Sequence, residues 1–172
     1  CGNILKKISQ NKIVDDDYVT NVSLQDLLYE ISKSFEEISK KKINLNFSNL
    51  TKKIPITRSP EITYGIRNFV GNAVKFSKRN ININLFKNND EVKIQISDDG
   101  PGFPKDIIKN IGEPYIASKS KKLKSKAGLG LGTFIGKTLL ERKKAIIEFS
   151  DSNLGGALVE ISWKNYDIIK KT

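Results

Sequence analysis

One stretch, Gly65 to Ser77, reads Gly-Ile-Arg-Asn-Phe-Val-Gly-Asn-Ala-Val-Lys-Phe-Ser and narrows the folds open to this chain. Ile66, Phe69, Val70, Ala73 and Val74 recur at helical spacing, which predicts a helix with one face in a core. Asn68, Asn72 and Lys75 stand at i, i+4 and i+7 and share another face. Two carboxamides and an ammonium in a row suit a metal-bound polyphosphate. An amide oxygen can enter a Mg²⁺ shell, and an ammonium can meet a phosphate oxygen. A solvated polar face reads the same way in a chain rich in Asn and Lys, so this segment needs company.

Two later segments supply it. In Ile94-Gln95-Ile96-Ser97-Asp98-Asp99-Gly100-Pro101-Gly102-Phe103 an alternating strand runs into an Asp-x-Gly-x-Gly turn. Gly100 and Gly102 let backbone approach a flat ligand. Asp98, at the strand end, can accept a hydrogen bond from an exocyclic amine such as that of adenine. The plain alternative is an ordinary Asp-Gly turn. In Gly128-Leu129-Gly130-Leu131-Gly132-Thr133 a glycine-rich loop opens an amphipathic helix that runs to Arg142. A helix N-terminus offers free N–H groups and a positive dipole end to phosphate. The spacing is not Gly-x-x-x-x-Gly-Lys-Ser/Thr, and no repeated strand–helix–strand pattern surrounds it, so P-loop and Rossmann readings fail.

An Asn-rich helix, an Asp-x-Gly-x-Gly turn and a glycine loop with a helix, in that order, resemble the N, G1 and G2 boxes of the GHKL ATPase superfamily. The resemblance spans roughly residues 22–164. Within it the chain is similar to the catalytic domain of a sensor histidine kinase. Hydrolytic members carry a glutamate where Asn68 stands here, and without that base the γ-phosphate is kept for transfer. Gly112-Glu113-Pro114-Tyr115, Leu129-Gly130-Leu131-Gly132 and Lys137-Thr138-Leu139-Leu140-Glu141-Arg142 resemble the RegB/PrrB type of redox-responding kinase. Cys1-Gly2-Asn3-Ile4-Leu5 resembles a segment late in that family's dimerisation helix. Gly71, where an acidic residue usually precedes the Asn-Ala pair, and Lys126, where the G2 box often has its first glycine, depart from the pattern.

The resemblance implies ATP and Mg²⁺ as cofactors. It implies that Asp98 reads the adenine amine and that Gly100 and Gly102 let the base close in. Asn72, with Asn68, supports Mg²⁺, and Lys75 meets phosphate. Tyr115, Gly128, Leu129, Gly130, Leu131 and Gly132 complete the nucleotide site. Cys1 becomes a redox candidate. Residues 1–20 become the tail of a dimerisation helix plus linker, and 21–172 the catalytic domain. The implied partners are the dimerisation and phosphoacceptor domain of a parent kinase and a response regulator. The implied location is the cytoplasm, with a parent in the inner membrane.

Composition bears on these expectations at a few points. The chain has 172 residues, enough for one core. It has no histidine, so the acceptor histidine lies elsewhere and neither phosphorylation in cis nor His-based metal binding is open to it. It has no methionine and begins with Cys, which reads as a piece excised from something longer. One cysteine excludes an internal disulfide. No apolar run approaches the ~20 residues of a membrane span. The net charge of +11 raises nucleic acid as a partner, but Lys, Ile and Asn are inflated together and no aromatics interleave with the lysines, so none is expected. The densest cluster, Lys119 to Lys126, falls where the resemblance places an ATP lid.

The remaining pattern predicts a helix tail at 1–10 and a linker over 11–21. It predicts a helix from Leu24 to about Lys40 capped by Ser23, strands at 43–47 and 54–56, and a helix begun by Pro60. It predicts hairpins from 81–86 with 92–97 and from 145–149 with 157–163. Gly155-Gly156-Ala157 reads first as a plain turn, although the resemblance also matches it to a small-residue stretch that backs the adenine pocket; Phe149 and Trp163 read as core. The sum is an α/β fold, a two-layer α/β sandwich with a mixed, mostly antiparallel sheet. The resemblance names it the Bergerat fold. Two alternatives stay open: an anti-sigma-type Ser/Thr kinase and a non-catalytic nucleotide-binding module.

Overall fold

The computed structural model describes residues 21–103 and 129–171. Cys1, the helix tail and most of the linker, Tyr115, the lysine-rich lid and Gly128 lie outside the described residues.

Helix α1 covers Leu24–Ser39. Extended backbone at Ser23 turns its hydroxyl onto the Asp26 N–H, 3.0 Å away, which caps the start. The helix stops where Lys40 turns left-handed, at φ 61°. Its stripe of Leu24, Leu27, Leu28 and Ile31 is fully buried. Helix α2, Pro60–Phe76, starts on a second serine cap, Ser59, with Pro60 in its first turn. It buries Ile62, Ile66, Phe69, Val70, Ala73 and Val74.

Five strands form the main sheet. They are β2 (Lys42–Asn46), β4 (Asn80–Lys87), β5 (Glu91–Asp98), β6 (Ile146–Asp151) and β7 (Ala157–Lys164), in the order β2-β4-β5-β7-β6. β2 joins β4 in parallel, and the other three pairings are antiparallel. Both predicted hairpins are present. In the first, the Asn88 side-chain oxygen accepts from the N–H groups of Asp90 and Glu91, at 2.8 Å each. Helix α3, Leu129–Arg142, precedes β6, and a short helix α4, Asn165–Ile168, follows β7.

Two short strands stand apart. β1 (Asn21–Ser23) pairs antiparallel with β3 (Pro55–Thr57). The sequence placed Asn21 in a linker. Three residues hold no usable alternation, and the strand exists only because β3 lies beside it.

The three central strands alternate strictly. Val92, Ile94 and Ile96 point into the core together with Ile81, Ile83 and Leu85 of β4 and Ile161 and Trp163 of β7. The buried faces of α1 and α2 close over them, forming one layer of helix on one layer of sheet. Each fully buried aliphatic contributes about 1.5–3 kcal/mol of transfer free energy. Helices α2 and α3 cross closely at two glycines. A Cβ on Gly65 would stand 2.5 Å from Leu140 Cγ, and one on Gly136 would stand 3.2 Å from the Asn68 Cβ. That crossing brings the start of α3 against the polar face of α2.

Candidate functional site

Parity along β5 decides which aspartate faces inward. Asp98 is in phase with Ile94 and Ile96, and its side chain is 4% exposed. The Gly100 N–H donates to its Oδ1 at 2.8 Å and the Ala157 N–H at 3.2 Å. Both bonds among the described residues end on Oδ1. Burial raises the carboxyl pKa, against the pull of those two N–H groups and of Lys41. A buried carboxylate oxygen is a strong acceptor for an amine.

Small residues make that burial possible. A Cβ on Gly156 would lie 2.2 Å from Asp98 Oδ1 and 2.3 Å from its carbonyl oxygen. A Cβ on Gly100 would lie 2.2 Å from the Phe76 carbonyl oxygen. Gly102 has φ 79°, a conformation open to glycine at little cost. Phe103, next in the chain, meets Phe149 edge-on at 5.7 Å, and Phe149 meets Phe69 of α2 at 5.9 Å. Phe149 is thus half-buried in a bridge between this turn and α2, whereas Trp163 is fully core.

At the other end the carboxamides converge. A Cβ on Gly132 would lie 3.5 Å from Asn72 Oδ1 and 3.6 Å from Asn68 Oδ1, so the two oxygens flank one spot on α3. The Asn72 nitrogen lies 3.7 Å from the same spot. Asn72 Nδ2 donates to the Thr133 hydroxyl at 3.1 Å, and Asn68 Nδ2 donates to the Tyr64 carbonyl at 2.7 Å. Two hard neutral oxygens, oriented by bonds through their nitrogens, fit a Mg²⁺ that keeps other oxygen ligands. Lys75 is exposed, one turn further along α2.

A sequence profile describing histidine kinase-, DNA gyrase B-, and HSP90-like ATPases matches residues 57–167. The chain belongs to this family. Among relatives of this ATPase domain is the sensor histidine kinase RegB of Cereibacter sphaeroides, 36% identical over 124 residues. That match covers 63% of this chain and 27% of RegB. The domain therefore spans about a quarter of that relative's length. Among solved structures, the catalytic domain of the histidine kinase ThkA superposes with a TM-score of 0.69 at 20% identity, covering 85% of this chain and 97% of that one. Full-length ShkA in complex with AMPPNP superposes with a TM-score of 0.67 at 20% identity, covering 88% of this chain and 31% of that one. Both likenesses show the shared fold, that of histidine kinase catalytic domains.

Within the ATPase-family domain the structure brings Asn68, Asn72 and Gly132 together at one end and Asp98, Gly100 and Gly102 at the other. Leu129, Gly130 and Gly132 differ from expectation. They belong to the first turn of α3 rather than to a loop before it, because the crossing at Gly65 and Gly136 extends helix packing back to this point. Leu131 lies in the same turn. Gly156 is not a plain turn residue, since it abuts Asp98. Thr133, which ends the glycine-rich segment but was given no role there, is 2% exposed and holds Asn72. Asp99 was given no role either. Burial pushes that carboxyl up, but bonds from the N–H groups of Arg79, Lys78 and Asn80 outweigh this and hold its pKa below the ordinary value. Period-two parity on β5 separates the two aspartates, one inward and one outward.

Proposed function

We propose that this domain binds ATP with Mg²⁺ and, in its parent kinase, presents the γ-phosphoryl group to a histidine outside this chain. From that histidine the group passes to an aspartate of a response regulator. The observation that carries the reading is the two-ended site. A buried carboxylate flanked by obligatory glycines suits an adenine amine, and two oriented carboxamide oxygens suit the metal on the phosphates. Asn68 and Asn72 would hold Mg²⁺, which supplies charge neutralisation. Lys75 adds positive charge on the same face. Asp98 fixes the base. The chain provides positioning and electrostatics rather than a general base. Likeness to RegB and to histidine kinase catalytic domains supports this reading.

The same reading divides the chain into residues 1–20, a dimerisation-helix tail and linker, and residues 21–172, the catalytic domain. It places the domain in the cytoplasm, where ATP and a response regulator are found. No helix among the described residues is long and apolar enough to cross a membrane.

The test is phosphotransfer from ATP to a supplied His-bearing helical partner. Wild type should transfer, and Asn72→Ala should lose transfer by at least about a hundredfold while keeping its circular dichroism spectrum. Transfer by the variant at the wild-type rate removes the metal role of Asn72. Nucleotide binding by wild type without any transfer favours the non-catalytic module.

A further inference from the structure

Asp99 stands one residue beyond Asp98 and faces the other way. Its carboxylate accepts from three consecutive backbone N–H groups. Oδ1 takes Lys78 at 2.7 Å and Arg79 at 3.2 Å, and Oδ2 takes Arg79 at 3.2 Å and Asn80 at 3.1 Å. Those donors form the link that leaves α2 and enters β4. The same link is held from its other side. The Lys41 ammonium donates to the carbonyls of Val74 and Ser77, the last of which is 2.8 Å away, where the α2 dipole ends negative. Between these two clamps Gly100 presses its backbone against the Phe76 carbonyl, with no room for a Cβ.

The consequence is geometric. α2 carries Asn68 and Asn72. The turn at 98–100 carries Asp98. Apart from shared core packing and the β4–β5 ladder, which pairs Ile81 with Asp98, the Asp99 carboxylate is the side chain among the described residues that bolts the second to the end of the first. We propose that Asp99 is a positioning residue for the nucleotide, fixing the distance and angle between the base-reading carboxylate and the metal-holding carboxamides. This rests on the reading of the site as an ATP site.

A base comparison separates positioning from mere structural support. Guanine carries a carbonyl oxygen where adenine carries its amine, so a rigidly aimed Asp98 attracts one and repels the other. A loosened Asp98 tells them apart less well, whereas general destabilisation weakens both nucleotides alike. The experiment is titration calorimetry of Mg²⁺-AMPPNP and its guanine counterpart. It compares wild type, Asp99→Ala and Asp99→Asn at a temperature where all three are fully folded by circular dichroism.

The expected result is a loss of about tenfold in adenine affinity for Asp99→Ala. Guanine affinity stays the same or rises, so that the adenine-to-guanine ratio falls. Asp99→Asn keeps one acceptor oxygen and should lie between. If Asp99→Ala fails to fold, the Asn variant alone must show the reduced ratio. An unchanged ratio in the folded variants, with or without an equal loss for both bases, overturns the positioning role and leaves the ATP site standing. A wild-type protein that binds neither nucleotide overturns both.

Discussion

At the scale of single residues, Asp98 works against the fold it serves. Its carboxyl pKa is raised chiefly by burial. A carboxyl whose folded-state pKa lies above its unfolded value adds stability below the unfolded value and loses it as pH rises through the folded one. At higher pH Asp98 therefore burdens the empty protein. Asp98→Asn keeps an acceptor oxygen for the N–H groups of Gly100 and Ala157 and removes the charge. It should melt at or above the wild-type temperature at pH 7, with the gap closing as pH falls below the carboxyl's own pKa. Its affinity for Mg²⁺-AMPPNP should drop about ten- to hundredfold, because an amide presents one acceptor and an unwanted donor to the adenine amine. Scanning calorimetry across pH and titration calorimetry check the two halves. A variant that is both less stable at pH 7 and unimpaired in binding contradicts the assignment. Asp99 has the opposite sign. Its pKa is lowered, so its contribution is present above the unfolded value and disappears as pH falls through the folded one.

At the scale of elements, two glycines of α2 should answer oppositely to alanine. Either change gains about 1 kcal/mol of helix propensity. At Gly65 the new Cβ would sit 2.5 Å from Cγ of Leu140, which is fully buried and has nowhere to go. Overpacking of that kind costs about 1–3 kcal/mol, so Gly65→Ala should be net destabilising and should splay α3 from α2. At Gly71 the nearest atom is Phe35 Cζ, 3.3 Å away, on a half-buried ring beneath the Arg67 guanidinium. That ring can tilt, so Gly71→Ala should be neutral or stabilising by up to about 1 kcal/mol. Urea unfolding of both variants decides it. The elements themselves were largely legible. The serine cap at 23, Pro60 at the start of α2, helical spacing in α1 and α2, and alternation in β4, β5 and β7 are local signals, and the chain obeys them. What could not be read was set by partners distant in sequence. β1 depends on β3, and the start of α3 depends on its crossing with α2. In the site, Asn72 and Asp98 were visible as motif residues. Thr133 and Asp99, which hold or frame them, lie inside those motifs at positions whose role only the three-dimensional contacts reveal.

At the scale of the whole molecule, nucleotide binding should appear as stability. A ligand at a hundred times its Kd, bound to the folded state alone, adds about 2.7 kcal/mol. For a chain of this size that corresponds to a rise of roughly 5–10 °C in Tm. The carboxamides of Asn68 and Asn72 are uncharged and cannot balance a triphosphate by themselves. Chelating Mg²⁺ should therefore abolish most of the rise, and a melt with ATP, with and without chelator, measures it. An undiminished rise without the metal contradicts the role given to the two asparagines. The parallel pairing of β2 with β4 has one more consequence. Parallel neighbours need a connection that crosses over, and α2 is part of that connection. Its span is set by the distance between the ends of two fixed strands and by the two clamps at its exit. The helix that holds the asparagines can thus change its letters at positions such as Gly71, but it cannot gain or lose them: within it, an insertion or deletion would rotate every later residue off its face and shift β4 out of step with β2.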